Sequence, residues 1–403
     1  CGSLRFHAGV IFRTIVCMKY RNYGRTDIQI SELGLGGHRE GFDTRDGLDR
    51  QARYFLPAKE RAEVVGRAID AGVNYFDATF DCEMVSLGES FSILGVRDGL
   101  FVSGMRVDFF SLFLEYGKEL YGNDIRKYTR QQIEGRLTDG GFGWLDQFLL
   151  GALDFGDPIS HKAALEDTID ELIRQREAGK IRFFGFSCHN PDYASELLNL
   201  FPIFDAVMVP YNYGNRVAEE NLQSAVETQG AAWVAMKALV WEEYGIPVTA
   251  LRALNPVDGV TAHDPGAPVG RLSLNWILGN SHVTTTVPAM NTIDEIEENS
   301  RLGDAVDDED TEKLEAYLTA MRADNNIPLA IAGMLCSNLR VRGHGLRTAK
   351  ARLGIDEPDV DFENDNAQKL AADQVKKVFD ALGQNREWAA YTRGAVGQSG
   401  PSM

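Results

Sequence analysis

The chain predicts an α/β protein built as a (β/α)8 TIM barrel with a C-terminal helical and irregular extension. Three observations predict it. From residue 30 onward, short and near-continuously apolar runs alternate with amphipathic stretches, the rhythm of strand–helix units on a parallel sheet buried on both faces. Eight such runs fall within about 270 residues, the count and length of a closed eightfold barrel. No Gly-x-Gly-x-x-Gly follows the first run, so an open doubly wound sheet lacks its dinucleotide fingerprint.

The expected strands are 30–37, 73–79, 100–107, 145–153, 181–187, 206–212, 231–239 and 284–290. Helical patterns lie between them at 59–71, 129–137, 165–178, 191–199, 218–228, 267–278 and 292–301, with another opening at 87–95. Asn190 followed by Pro191 is a capping residue before a proline suited to the first helical position, and Thr292 with Glu295 reads as a capping box. After residue 302 the rhythm stops. An acidic run at 304–312 leads into a helix at 311–321, an amphipathic stretch follows at 367–382, and the polar, Gly-rich end at 393–403 reads as disordered. The expected division is a leader at 1–17, a barrel at 18–302 and an extension at 303–403. The leader is read as non-native because the first methionine is Met18.

With 403 residues, 44% hydrophobic and 25% charged, the composition is that of an ordinary globular protein. The net charge of −18 argues against non-specific binding to nucleic acid or to an anionic membrane. No apolar run is long enough to span a bilayer. The five cysteines are odd in number and widely spaced, which predicts a reduced, cytoplasmic setting and no zinc site.

The stretch at 71–95, AGVNYFDATFDCEMVSLGESFSILG, says most about function. It resembles the second strand and following helix of the aldo-keto reductases, whose pattern here is G-x-N-x-F-D-T-A and then Y-G-x-S-E-x-x-L-G. KYRNYGRTDIQISELGLGG resembles that family's opening hairpin and first strand, GKIRFFGFSCHN its fifth strand, GAAWVAMKAL its seventh, and HVTTTVPAMNTIDEIEEN its eighth strand and cofactor-binding helix. The resemblance covers residues 18–302 and implies a barrel of aldo-keto reductase type. It also implies NADP- or NAD-dependent reduction of a carbonyl on a small-molecule substrate.

In that family a tyrosine donates a proton, a lysine and an aspartate tune it, and a histidine orients the substrate. Carried over residue by residue, the aspartate is Asp77. The tyrosine position holds Leu87, the lysine position Met105 and the histidine position Gly151. Three of the four chemical groups are replaced, so the resemblance implies a degenerate active site. For the cofactor it points to Ser187 and Cys188 at the nicotinamide, with Met208 replacing a glutamine, to Glu298 and Asn299 at the adenine end, and to Pro288 as a further cofactor-binding residue. Glu295 falls where an arginine would clamp a 2′-phosphate, which penalises NADP more than NAD. Some branches of the family carry an iron–sulfur module in the extension. Cys336 alone there predicts no cluster.

Polar residues at the expected strand ends supply other candidates. His38, Tyr211 and Lys237 are candidate replacement acids, and Arg106, Cys82 and Glu83 are further candidate catalytic residues. Arg39, Arg106 or Lys237 is expected to pair with Asp77, since a carboxylate in a barrel mouth needs a partner or a proton. Two rival readings stay open: a non-redox barrel enzyme using Cys82, Glu83, Arg39 and Arg106, and a non-catalytic scaffold. The oligomeric state is not legible.

Overall fold

A computed structural model describes residues 18–36, 57–106, 109–151, 153, 159–241, 246–247, 269–303, 306–322, 346–347, 349–351, 353–361 and 366–384. The calls on the leader, on His38 and Arg39, on Cys336 and on the C-terminal end lie outside these residues. The chain opens with an antiparallel hairpin of β1 (Tyr20–Asn22) and β2 (Gln29–Ser31). Then come α1 (Ala58–Asp70), β3 (Tyr75–Ala78), α2 (Asp81–Leu94), β4 (Phe101–Arg106), α3 (Phe109–Tyr121), α4 (Ile125–Gly140), β5 (Leu145–Leu150) and α5 (Lys162–Glu177). Next are β6 (Ile181–Ser187), α6 (Pro191–Leu200), β7 (Ala206–Pro210), α7 (Val217–Asn221), α8 (Gln223–Gln229) and β8 (Ala232–Met236). The described elements end with a small hairpin, β9 (Val240–Trp241) and β10 (Ile246–Pro247), then α9 (Val269–Gly279), β11 (Val283–Thr286), α10 (Ile293–Asn299), α11 (Asp308–Arg322) and α12 (Ala367–Gln384). Among the described residues no helix is long and apolar enough to cross a membrane.

Seven strands form one parallel sheet in the order β11-β8-β7-β6-β5-β4-β3. The expected first strand at 30–37 is not regular. Ile30 belongs to the hairpin, while Leu33 and Leu35 make single parallel bridges to Thr286 and Phe76 at the two sheet edges. The amide of Gly34 donates to Thr286 O (2.8 Å), that of Leu35 to Tyr75 O (2.9 Å), and that of Asp77 back to Leu35 O (2.9 Å). This segment therefore occupies the eighth place of a (β/α)8 barrel and leaves neither edge open.

Side chains alternate across the sheet as the pleat requires. Tyr75, Phe101, Met105, Leu149, Met208 and Val234 fill the interior. Phe76, Val102, Phe148, Phe186, Val207 and Trp233 face the helices and build the larger core with them. The hairpin plugs the barrel from below. Tyr23 is fully buried, with its ring 4.7 Å from Phe101 and 5.0 Å from Phe183.

Three further elements depart from the expectation. α2 starts at Asp81 rather than near residue 87, because the Glu83 carboxylate accepts the amides of Thr79 (2.7 Å) and Phe80 (3.0 Å) and caps the helix there. α3 was not expected, and its buried face of Phe109, Phe110 and Phe113 packs on Tyr128 of α4. The helix expected at 218–228 is two pieces that meet at Leu222.

Helices α2 and α4 cross in close contact, since a Cβ on Gly88 would lie 2.2 Å from the backbone oxygen of Gly140. Backbone cannot yield as a side chain does. Gly88→Ala is expected to lower stability by about 1–3 kcal/mol through overpacking, read as a lower midpoint in urea unfolding.

Candidate functional site at the barrel mouth

The C-terminal ends of the strands, where barrel enzymes place their chemistry, surround Asp77. Asp77 lies at inward parity on β3 and is 7% exposed. Its register partner on β4 is Ser103, and Ser103 pairs in turn with Gln147 on β5. Gln147 is fully buried. Its Nε2 donates to Ser103 Oγ (3.0 Å) and to Tyr75 Oη (3.1 Å), and its Oε1 accepts from the hydroxyl of Tyr23. A polar ladder thus climbs the apolar interior from the plug to Asp77.

The Asp77 carboxyl is poorly partnered. Thr79 Oγ1 approaches Oδ2 at 3.4 Å, and Oδ1 is buried without a hydrogen-bond partner. Burial pushes the carboxyl up to about 7, and the charge of Glu83 adds to this, while hydrogen bonding from Ser103 and Thr79 acts in the opposite direction. Burial likewise raises the Tyr75 phenol well above its ordinary range.

The expected cation for Asp77 is not supplied by Arg106 or Lys237. Arg106 Nη1 lies 3.5 Å from Asp81 Oδ1. Arg136 of α4, which the sequence reading missed, also binds Asp81 and donates through Nε to Met105 O (2.8 Å). Arg136 is 4% exposed, so Asp81 and these two arginines form their own cluster beside the mouth. Lys237 has a left-handed backbone (φ 54°), and its carbonyl accepts from Asn212 Nδ2 (3.1 Å). Such a conformation is uncommon outside glycine.

The remaining candidates are distributed as follows. Glu83 is committed to capping α2. Cys82 is a half-buried thiol at the second position of that helix. Tyr211 corrects the sequence expectation of a mouth acid. It follows β7 at outward parity, its hydroxyl binds Glu219, and Asn280 Nδ2 approaches it at 3.4 Å in the helical layer. Burial and the Glu219 carboxylate raise its phenol far above the ordinary range.

The other three family positions are equally definite. Leu87 packs in the core between α2 and the sheet, and Met105 lines the interior with Met208 and Met236. Gly151 admits no side chain, because a Cβ there would lie 2.3 Å from the Arg106 carbonyl oxygen.

The residues that the resemblance assigns to a nicotinamide dinucleotide are placed as follows. Glu298 and Asn299 lie tightly against the start of α9, where a Cβ on Gly270 would lie 2.9 Å from Asn299 Oδ1 and 3.4 Å from Glu298 Oε1. Pro288 is buried beneath the closing segment, its carbonyl accepting the Gly36 amide (2.9 Å). At the nicotinamide end, Ser187 Oγ has Met236 Sδ at 3.8 Å, and the fully buried Cys188 thiol donates to Asn190 O (3.2 Å). Glu295 Oε2 accepts the Asn291 amide (2.7 Å), at the position the resemblance assigns to the clamp on a 2′-phosphate.

The site is thus a buried aspartate at the C-terminal end of the first sheet strand of a closed parallel barrel, with a Glu-Asn pair on the helix that follows the last strand. The Aldo/keto reductase family model matches residues 122–318. L-glyceraldehyde 3-phosphate reductase of Escherichia coli (strain K12) is 22% identical over 326 residues, covering 70% of this chain and 86% of that one. An aldo-keto reductase from Klebsiella pneumoniae in complex with NADPH superposes with a TM-score of 0.54 at 18% identity, covering 74% of this chain and 94% of that one. The holo form of an aldo-keto reductase from Bacillus halodurans gives 0.53 at 19% identity, covering 74% and 96%. The chain is similar to the aldo-keto reductases in sequence over 122–318, and shares their fold over about three quarters of its length.

Asp77 is a liability to the folded state. Its pKa is raised on folding, so the native state binds the proton more tightly, and stability falls as pH rises from the unfolded carboxylate range to about 7. The loss is on the order of 4 kcal/mol and is complete above neutrality. Asp77→Asn is expected to abolish this slope and to unfold at higher urea than the wild type at alkaline pH. The urea midpoints of both proteins across the pH range measure it.

Proposed function

We propose that the protein is a reductase of aldo-keto reductase type that uses a reduced nicotinamide, NADH in preference to NADPH, on the carbonyl of a small molecule. In this reading the usual acid machinery is degenerate and the acid is a different group. One observation carries the reading. Asp77, Ser187 and the Glu298–Asn299 pair keep their family order around one closed barrel, while Leu87, Met105 and Gly151 replace the tyrosine, lysine and histidine.

A bound reduced nicotinamide supplies a hydride equivalent. The chain's own part is to hold and orient, and to manage one proton. Glu298 and Asn299 would meet the adenine end, and Ser187 the carboxamide. Met105, Met208, Met236 and Leu149 give the mouth an apolar, adaptable wall that keeps water from the reacting carbon. The non-redox reading draws less support, because the Glu83 carboxylate caps α2 and Arg106 faces Asp81.

A fluorescence titration tests this. NADH is expected to bind more tightly than NADPH. Glu295→Arg is expected to improve NADPH binding by roughly tenfold or more, since it replaces a repulsive charge by an attractive one. Failure of the wild-type protein to bind either nucleotide removes redox chemistry.

A further inference from the structure

We propose that Asp77 replaces the missing tyrosine as proton donor: its carboxyl, at inward parity on the C-terminal end of β3 and without a cation partner among the described residues, protonates the oxygen of the carbonyl being reduced. This rests on the reductase reading and names the group that reading leaves open.

The surroundings of Asp77 define a neutral acid rather than an ion-paired carboxylate. On its own strand it meets Tyr75, whose phenol burial keeps protonated, and Thr79. From α2 it faces the Glu83 carboxylate, which disfavours a second negative charge. On β4 it meets Ser103. Farther along that strand Arg106 is drawn to Asp81, which Arg136 also holds. From the closing segment comes the backbone of Leu35, hydrogen-bonded to the Asp77 amide. Among the described residues no cation forms an ion pair with it. A carboxyl so buried, with Oδ1 unpartnered, is more stable with its proton.

The ladder below gives this acid a direction. Gln147 Oε1 accepts from Tyr23, which turns its amide nitrogen towards Ser103 and Tyr75. Ser103 Oγ accepts one of those protons, leaving its own hydroxyl proton to point at Asp77. The carboxyl is thus approached from beneath, at the C-terminal end of β3 where the strand meets the mouth. The other groups near the mouth serve less well. Glu83 is spent on its helix, the arginines do not release protons near neutrality, and Tyr211 faces outward.

The step balances simply. The substrate carbon gains hydrogen and two electrons as hydride from a reduced nicotinamide, the Asp77 O–H bond breaks, and a new O–H bond forms on the substrate. Asp77 is left as a carboxylate and is reprotonated by water at the mouth.

Infrared titration of the full chain without nucleotide reads the acid form directly. A neutral-carboxyl band is expected at about pH 6, disappearing near neutrality and absent from Asp77→Asn. Ser103→Ala is expected to move that midpoint upward, because it removes a hydrogen bond that favours the charged form. With NADH and 4-nitrobenzaldehyde, kcat is expected to fall as pH rises through the same midpoint. Asp77→Asn is expected to lower kcat by roughly 10²–10⁴-fold while leaving NADH affinity within about twofold, and Asp77→Glu to recover part of it. An Asp77→Asn protein that keeps kcat within about threefold overturns the donor role and leaves the reductase reading standing. Loss of activity in Cys82→Ser or Lys237→Ala, with Asp77→Asn active, moves the role to that residue. Absence of an Asp77-dependent neutral band overturns the proposal without any turnover measurement. A wild-type protein that binds NADH but does not reduce the aldehyde also overturns it. One that binds no nucleotide ends the donor role together with the reductase reading.

Discussion

The structure depends on the way residues 32–36 pass between the two edges of the sheet. Seven strands leave rows of unpaired amides and carbonyls on β3 and β11, and the closing segment takes up both rows at once. Two glycines make this passage feasible. A Cβ on Gly36 would lie 2.4 Å from the Val287 carbonyl oxygen, and one on Gly34 would lie 2.9 Å from the Tyr75 ring. Leu33 and Leu35, between and beside them, point into the outer core. Closure and site are the same event, because the carbonyl of Leu35 fixes the amide of Asp77.

Closing the barrel also sets the dielectric of its mouth. The interior holds aromatic rings below and methionines above, so a charge placed there is costly unless a partner comes with it. Elsewhere the fold supplies partners generously. Asp146, 1% exposed, receives Arg97 (2.9 Å), Arg182 (2.8 Å) and the Val102 amide (3.0 Å). Asp205 receives Arg25 at 2.8 Å. Asp77 is treated differently from these buried aspartates, and the difference lies at residue 105, where a methionine faces inward.

Much of this was legible in the sequence, for a physical reason. Strands buried on both faces must be apolar throughout, so 101–106, 145–150 and 181–187 announce themselves. The first strand was misread as regular because its apolar residues are interrupted by glycines that serve closure rather than pairing. The helix at Phe109–Tyr121 falls between the expected strand at 100–107 and the expected helix at 129–137, a stretch to which no element was assigned. Tyr211 was assigned to the mouth from its place at a strand end, although parity with Met208 puts it on the opposite face. The same parity was a missed signal for Ser103 and Gln147. Each is a polar residue in an otherwise apolar run, and each shares inward register with Asp77. Arg136 gave no signal, since an arginine on an amphipathic helix normally faces solvent.

The replacements at the mouth are coupled rather than independent. A lysine at residue 105 would stabilise a carboxylate at residue 77 and an acidic phenol beside it. With methionine at that place, a tyrosine would keep a phenol of ordinary or raised pKa and lose its value as an acid. A buried carboxyl loses its charge instead and becomes an acid near neutrality. Gly151 follows the same logic. Its backbone lies against the Arg106 carbonyl so closely that a histidine there would require the β4 and β5 ends to part, and those ends carry Arg106 towards Asp81. In the proposed reading the mouth is a different solution to the same electrostatic problem, in which the carboxyl answers to its own burial rather than to a neighbouring cation.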